Sequence, residues 1–358
     1  MPRSAIDVIA PAFEHMKTQL FRPFRRGHWA RLALLGLATG ELSSGGGCHT
    51  NWSIPGPSSS HPASDHFASA LAGFPHPVLA PLAIAALITL GLALAIVLTY
   101  VGSVCRFMLF ETVLTRQCAL REQWRRWQEQ GLRFFGFNLL MLAVMVAGLA
   151  VLVGLPALFL YRTGILRNPS GHVALLIVGG ALLATLILAF FVAAAVVVVL
   201  TKDFVVPQMA LENVGIADGW RRLLPRMEAE RRSYLGYIGM KIVLALAAAV
   251  ALGIATLVLV LALVIPAAVV AVIVVVIWKP VGLAWTAATI SLAVTGGLVL
   301  LAALIYAMGF IGSPVTVFFP AYSMYFFADR YPPLAARLYP PPPAPPPPPV
   351  APELAPAT

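Results

Sequence analysis

The sequence predicts an all-α integral membrane helical bundle of about six transmembrane helices, in three repeated hairpins with interfacial elbow helices on the cytosolic face. Three observations carry that prediction. Hydrophobic residues make up 60% of the 358 and charged residues only 11%, whereas a soluble domain carries roughly a quarter charged. The apolar residues gather in long runs, not at amphipathic spacing. The basic residues fall between alternate runs, as topology demands.

Residues 1–28 read as a cytosolic amphipathic leader, with Ile6, Ile9, Phe13, Met16 and Leu20 on one face. The first apolar run begins only near Trp29, behind this basic leader, so no signal peptide is read. The transmembrane domain covers 29–335, with spans expected near 29–42, 79–104, 134–160, 173–200, 238–265 and 284–312. Most exceed the ~20 residues that cross a bilayer. The first is short, and Glu41-Leu-Ser-Ser-Gly-Gly-Gly follows it, so it reads as a half-helix continued by irregular backbone. The run 235–277 is too long for one ordinary span. Pro266 is taken to divide it, leaving Ala267–Trp278 as a surface or re-entrant segment, or else as one of two tight spans. Residues 336–358 read as a disordered proline-rich tail, a polyproline II spacer or a ligand for an aromatic groove on a cytosolic partner.

Lysine and arginine set the orientation. They cluster in 1–31, 106–133 and 202–241, with Arg330 and Arg337 beyond the last span. Only Arg162, Arg167 and Lys279, of the 24 Lys and Arg, fall in the alternate loops. Both termini are therefore expected in the cytosol of a bacterial inner membrane. The pI near 10 then reflects topology, and no nucleic-acid role is read from it.

The loops repeat. Arg106-Phe107 precedes Trp124-Arg125-Arg126 by the same interval that separates Lys202 from Trp220-Arg221-Arg222. Pro156 and Pro266, Gly179-Gly180 and Gly296-Gly297, and Pro207 and Pro320 recur in matching order. A duplicated hairpin with a degenerate third copy accounts for this, as a parallel repeat. The glycine pairs are expected to allow close helix approach. After Pro207, Leu211, Val214, Ile216, Trp220 and Leu223 fall near one face. That is an elbow helix, placing Trp220 at headgroup depth and Arg221 and Arg222 toward anionic lipid, with Trp124, Arg125 and Arg126 as counterparts.

Phe204-Val-Val-Pro207, Leu211-Glu212-Asn213-Val-Gly215 and Trp220-Arg221 resemble the elbow of bacterial multi-pass proteins of unknown function. Those proteins are grouped with the membrane domain of glycerophosphoryl diester phosphodiesterase. The pattern extends over roughly 10–335. In that family the phosphodiesterase chemistry lies in a separate soluble barrel, for which this chain leaves no room. The resemblance therefore implies a membrane module without that activity. The first copy lacks a proline at the Pro207 position, and its Glu111 is out of register with Glu212.

Candidate chemistry is sparse. Cys48, His49, His61, Asp65, His66 and His76 are metal-ligand types in a loop of no known finger spacing, so a polar external loop is read and no metal or other cofactor is expected. Cys48, Cys105 and Cys118 form no disulfide pattern. Glu41 is an acidic residue beside a helix break. It reads as the water boundary, with an ion site of transporter type as the sharper reading. Glu212 reads as a cap or an arginine partner, and Lys241 as a snorkelling residue at a span end. The expectation is a non-enzymatic membrane module that binds lipids or scaffolds other proteins, the alternative being a transporter. A polar mid-membrane cavity would favour transport.

Overall fold

The computed structural model describes residues 3–22, 26–41, 79–165, 172–278 and 287–339. Among them there is no strand. The helices are α1 (Ile9–Phe21), α2 (Arg26–Thr39), α3 (Leu79–Thr115), α4 (Leu120–Arg162) and α5 (Val173–Leu200), then α6 (Val206–Glu212), α7 (Ile216–Ala229), α8 (Arg231–Trp278), α9 (Ala287–Ala328) and α10 (Pro332–Leu338). A π-helical turn, Thr201–Val205, joins α5 to α6.

Five stretches are long and apolar enough to cross a membrane: Ile84–Thr115, Leu120–Arg162, Val173–Glu212, Arg231–Val270 and Val294–Ala328. In four of them the most apolar window is not buried by protein at all, and in the fifth only 6% is. Such contiguous apolar surface is foreign to a water-soluble monomer. The chain is a membrane-embedded helical protein.

The first expected span, 29–42, is not among these five. α2 has 14 residues, so it rises only ~21 Å against a hydrocarbon core of ~30 Å. Gly40, at φ +70°, ends it in the left-handed region. α2 packs instead against α3 and α9. A Cβ built on Gly102 of α3 would sit 2.7 Å from the Ala38 carbonyl oxygen. Gly102→Val is therefore expected to cost about 1–3 kcal/mol by overpacking, read as a lowered melting temperature in detergent. Melting equal to wild type would show that α2 does not seat there.

Other boundaries shift for physical reasons. α4 begins at Leu120, so Trp124-Arg125-Arg126 lie in the opening turns of a continuous 43-residue helix, not in a separate elbow. α8 runs unbroken through Pro266 to Trp278, because a membrane helix tolerates a proline whose freed carbonyl is re-satisfied nearby. Residues 336–338, at the start of the expected tail, belong to α10, and Tyr339 meets the Tyr325 ring and accepts a hydrogen bond from Arg3. The rest of the proline-rich tail, 340–358, and the histidine-bearing segment 42–78 lie outside the described residues.

The core gathers at one end of the bundle, hereafter the charged end. It comprises α1, the last turns of α3, the first of α4, the π turn with α6 and α7, the start of α8, the end of α9, and α10. Phe204 lies among Tyr234, Tyr237, Phe326 and Phe327, with ring centroids 5.0–6.0 Å apart. α1 buries Ala12, His15, Met16, Gln19 and Leu20, but Ile6 and Phe13 are 64% and 52% exposed. Its inward face is thus rotated from the apolar stripe read in the sequence, because His15 and Gln19 find acceptors inside. Away from the charged end the spans are mostly exposed, with local contacts such as Phe190 of α5 against Gly148 of α4. No heavy atom among the described residues lies within 4 Å of a Cβ built on Gly179, Gly180, Gly296 or Gly297. The paired glycines therefore make no close helix contact.

Candidate functional site

The charged end holds a buried ion-pair network that starts from Arg106. Residues 103–110 of α3 are buried, and the Arg106 side chain is only 7% exposed. Gly40 turns the chain at the end of α2 and delivers Glu41, 5% exposed, onto the Arg106 guanidinium. The π turn delivers Asp203. Its widened i→i+5 pairing runs from the Val206 N–H to the Thr201 carbonyl, just ahead of Pro207, which has no N–H. Arg106 Nη2 lies 3.8 Å from Asp203 Oδ1 and donates to the Lys202 carbonyl at 3.3 Å.

From α8, Tyr237 donates its hydroxyl to Asp203 Oδ2 at 2.9 Å, and Lys241 forms an ion pair with the same oxygen. Tyr237 is stacked on Tyr322 of α9, centroids 5.2 Å apart and planes 11° from parallel. Five helical segments thus contribute to one polar knot. Ions so enclosed persist only when paired and hydrogen-bonded. Placed at the end of membrane spans, they also mark a site worth examining.

Glu41 is therefore not a water boundary, because Arg106 draws it inside. Lys241 turns inward to pair with Asp203. The sequence reading does not join Arg106, Asp203, Tyr237 and Lys241 into a site, because it assigns the basic residues to topology. One signal was available: Arg106 and Lys202 hold matching places ahead of the two Trp-Arg-Arg triplets.

The other candidates are spread around the charged end. Glu212 binds Arg222 and accepts the Tyr331 hydroxyl at 2.5 Å, tying α6, α7 and α10 together. Burial and the adjacent Glu212 carboxylate push the Tyr331 phenol up. Trp220 is partly buried and donates to Thr201 Oγ1 at 3.2 Å. Trp124 packs edge-on to Tyr100. Arg126 pairs with Glu111 at 2.9 Å, and Trp127 bonds the same carboxylate. Arg125 and Arg221 are exposed, Arg221 lying 3.7 Å from Asp218. Both tryptophans are thus partly buried against protein, and all four arginines of the triplets are exposed, Arg125 without a carboxylate partner among the described residues and Arg126, Arg221 and Arg222 beside Glu111, Asp218 and Glu212. No group of three or more His, Cys, Asp or Glu side chains able to hold a metal occurs among the described residues.

His15 couples the leader to the bundle. Its Nε2 lies 2.9 Å from the Val113 carbonyl, which can only accept, so Nε2 carries the proton. Nδ1 is then the acceptor for the Tyr325 hydroxyl at 3.2 Å. Burial holds its pKa below the usual 6.5, against the opposing pull of the Val113 carbonyl. The free leader then binds a proton more readily than the docked one, so docking weakens as pH falls through about 6.5 toward the lower folded value. Amide exchange across 9–21 is expected to quicken between pH 7.5 and 5.5 in wild type, and His15→Asn is expected to flatten that response. Exchange independent of pH, once corrected for intrinsic rates, would remove this role.

No curated protein and no solved structure matches the chain. A family model described as a family of unknown function, DUF7544, matches residues 3–337, and nothing in that match extends to glycerophosphoryl diester phosphodiesterase. The match covers nearly all of the sequence, from α1 into α10, and the chain therefore belongs to the DUF7544 family.

Proposed function

We propose that the protein is a non-enzymatic module of the bacterial inner membrane that holds anionic lipid at its cytosolic face. The charged end is assigned to the cytosol by the asymmetry of lysine and arginine, which puts both termini there. One observation carries the module reading. The cavity beside the ion-pair network has a volume of about 10 Å³, space for roughly one water, and the larger cavity, about 240 Å³ between α2, the start of α4 and α9, has a mostly apolar lining (Ala30, Ala33, Leu34, Leu37 and Leu120). Arg125 and Arg221, exposed beside partly buried tryptophans, are placed to meet lipid phosphates. The inferred repeat supports this, because it gives the two arginines matching places in successive hairpins.

The test is lipid selection. Full-length protein in nanodiscs of mixed phosphatidylglycerol and phosphatidylcholine is expected to enrich the anionic lipid around itself in native mass spectra. Arg125→Gln with Arg221→Gln is expected to reduce that enrichment several-fold without changing the melting temperature. Equal retention of both lipids by wild type would end the proposal.

A transporter is the second reading, and Glu41 favours it: a buried carboxylate at the end of a helix too short to cross, in contact with two spans. Proton flux into proteoliposomes that is lost in Glu41→Gln would support transport over the module.

A further inference from the structure

The cavity beside the network has an electrical character that its neighbours do not satisfy. It lies between α3, the π turn with α6, and α9, and is open on one side. Arg106 and Lys202 line it, with Phe110, Pro207, Pro320 and Ser323 among the remaining walls. The guanidinium and the ammonium are donors with no acceptor atom. The two prolines bring no N–H, and the Ser323 hydroxyl is already given to the Pro320 carbonyl at 2.9 Å.

The charges around the cavity do not balance among the described residues. Arg106, Lys202 and Lys241 face Glu41 and Asp203. Glu41 is engaged by Arg106, and Asp203 by Lys241 and Tyr237. Lys202 is partly buried and forms no ion pair among the described residues, although Glu41 and Asp203 act on it from farther off. A cation withdrawn from water without a partner is costly. The space beside it is the size of one small atom, and its charged walls are both positive.

We infer that this cavity binds a single anionic atom against Arg106 and Lys202: a free halide of chloride size, or one oxygen of a lipid phosphate. The first source is independent of the lipid-module reading. The second rests on it, and the arms of the experiment separate them. An occupant restores neutrality without opening the Glu41–Arg106 pair, so the network gains a third tie between α3 and the π turn, beside the contacts of Arg106 with Asp203 and the Lys202 carbonyl.

Full-length protein is melted in neutral detergent at about 150 mM sodium gluconate, chloride or bromide, where screening is equal. For a free ion, chloride and bromide are expected to raise the melting temperature by about 2–4 °C over gluconate, saturably. Lys202→Gln is expected to lose that rise, and Lys202→Arg to keep it. For a lipid oxygen, the halides have no effect in wild type. One phosphatidylglycerol is then retained per protein in native mass spectra, and Lys202→Gln loses it while Arg221→Gln does not. Should Lys202→Gln fail to fold, wild type alone decides: neither a halide-specific rise nor one tightly held anionic lipid overturns the inference. A halide rise undiminished in a folded Lys202→Gln protein overturns it equally.

Discussion

Replacing Asp203 with Ala is expected to destabilise the protein by about 3–5 kcal/mol, because it strands buried cations. Lys241 and the Tyr237 hydroxyl lose their shared acceptor, and Arg106 keeps Glu41 as its one carboxylate among the described residues, with the Lys202 carbonyl. The loss should appear as a lower melting temperature in detergent and faster unfolding in SDS. Asp203→Leu combined with Lys241→Met is expected to recover much of the stability, since removing both partners avoids the stranded charge. The network reading would fail if Asp203→Ala cost less than about 1 kcal/mol, the scale of an exposed pair.

Phe204→Ala is expected to cost a similar 3–5 kcal/mol, by a different route. The ring is fully buried and touches four other aromatic rings from α8 and α9. Truncation leaves a void that these large rings cannot collapse to fill. Leu188→Ala, on the exposed stretch of α5, makes an informative comparison. It removes a side chain from lipid contact alone, and its cost should stay within about 0.5 kcal/mol. Equal losses at the two positions would mean that the spans pack along their whole length, contrary to the structure.

Much of the helical layout was legible in the amino-acid order. The run 173–200 is α5 to the residue, because a stretch with no charge and no proline admits only one reading in lipid. The leader helix, the amphipathic α7 and the pairing of Glu212 with an arginine were also readable from local spacing. What escaped depends on contacts distant in sequence. Glu41 and Arg106 are 65 positions apart, and nothing local to either announces the other. The shortness of α2 was visible, yet its docking against α3 and α9 was not. Pro266 misled because the rule that proline ends a helix is calibrated in water. Trp124 was assigned to a separate elbow because its triplet matches that at Trp220, and here the matching motif sits in different local structure.

The spans converge at one end and are mostly exposed toward the other. Side chains on the exposed lengths are constrained only to be greasy and helix-compatible, while those at the convergence must fit one another in volume, ring orientation and charge. Family members should therefore drift freely among Leu, Val, Ile and Ala over the outer stretches and stay nearly fixed around Arg106, Asp203 and Tyr237, giving a gradient of tolerance along each helix instead of the usual split between its two faces.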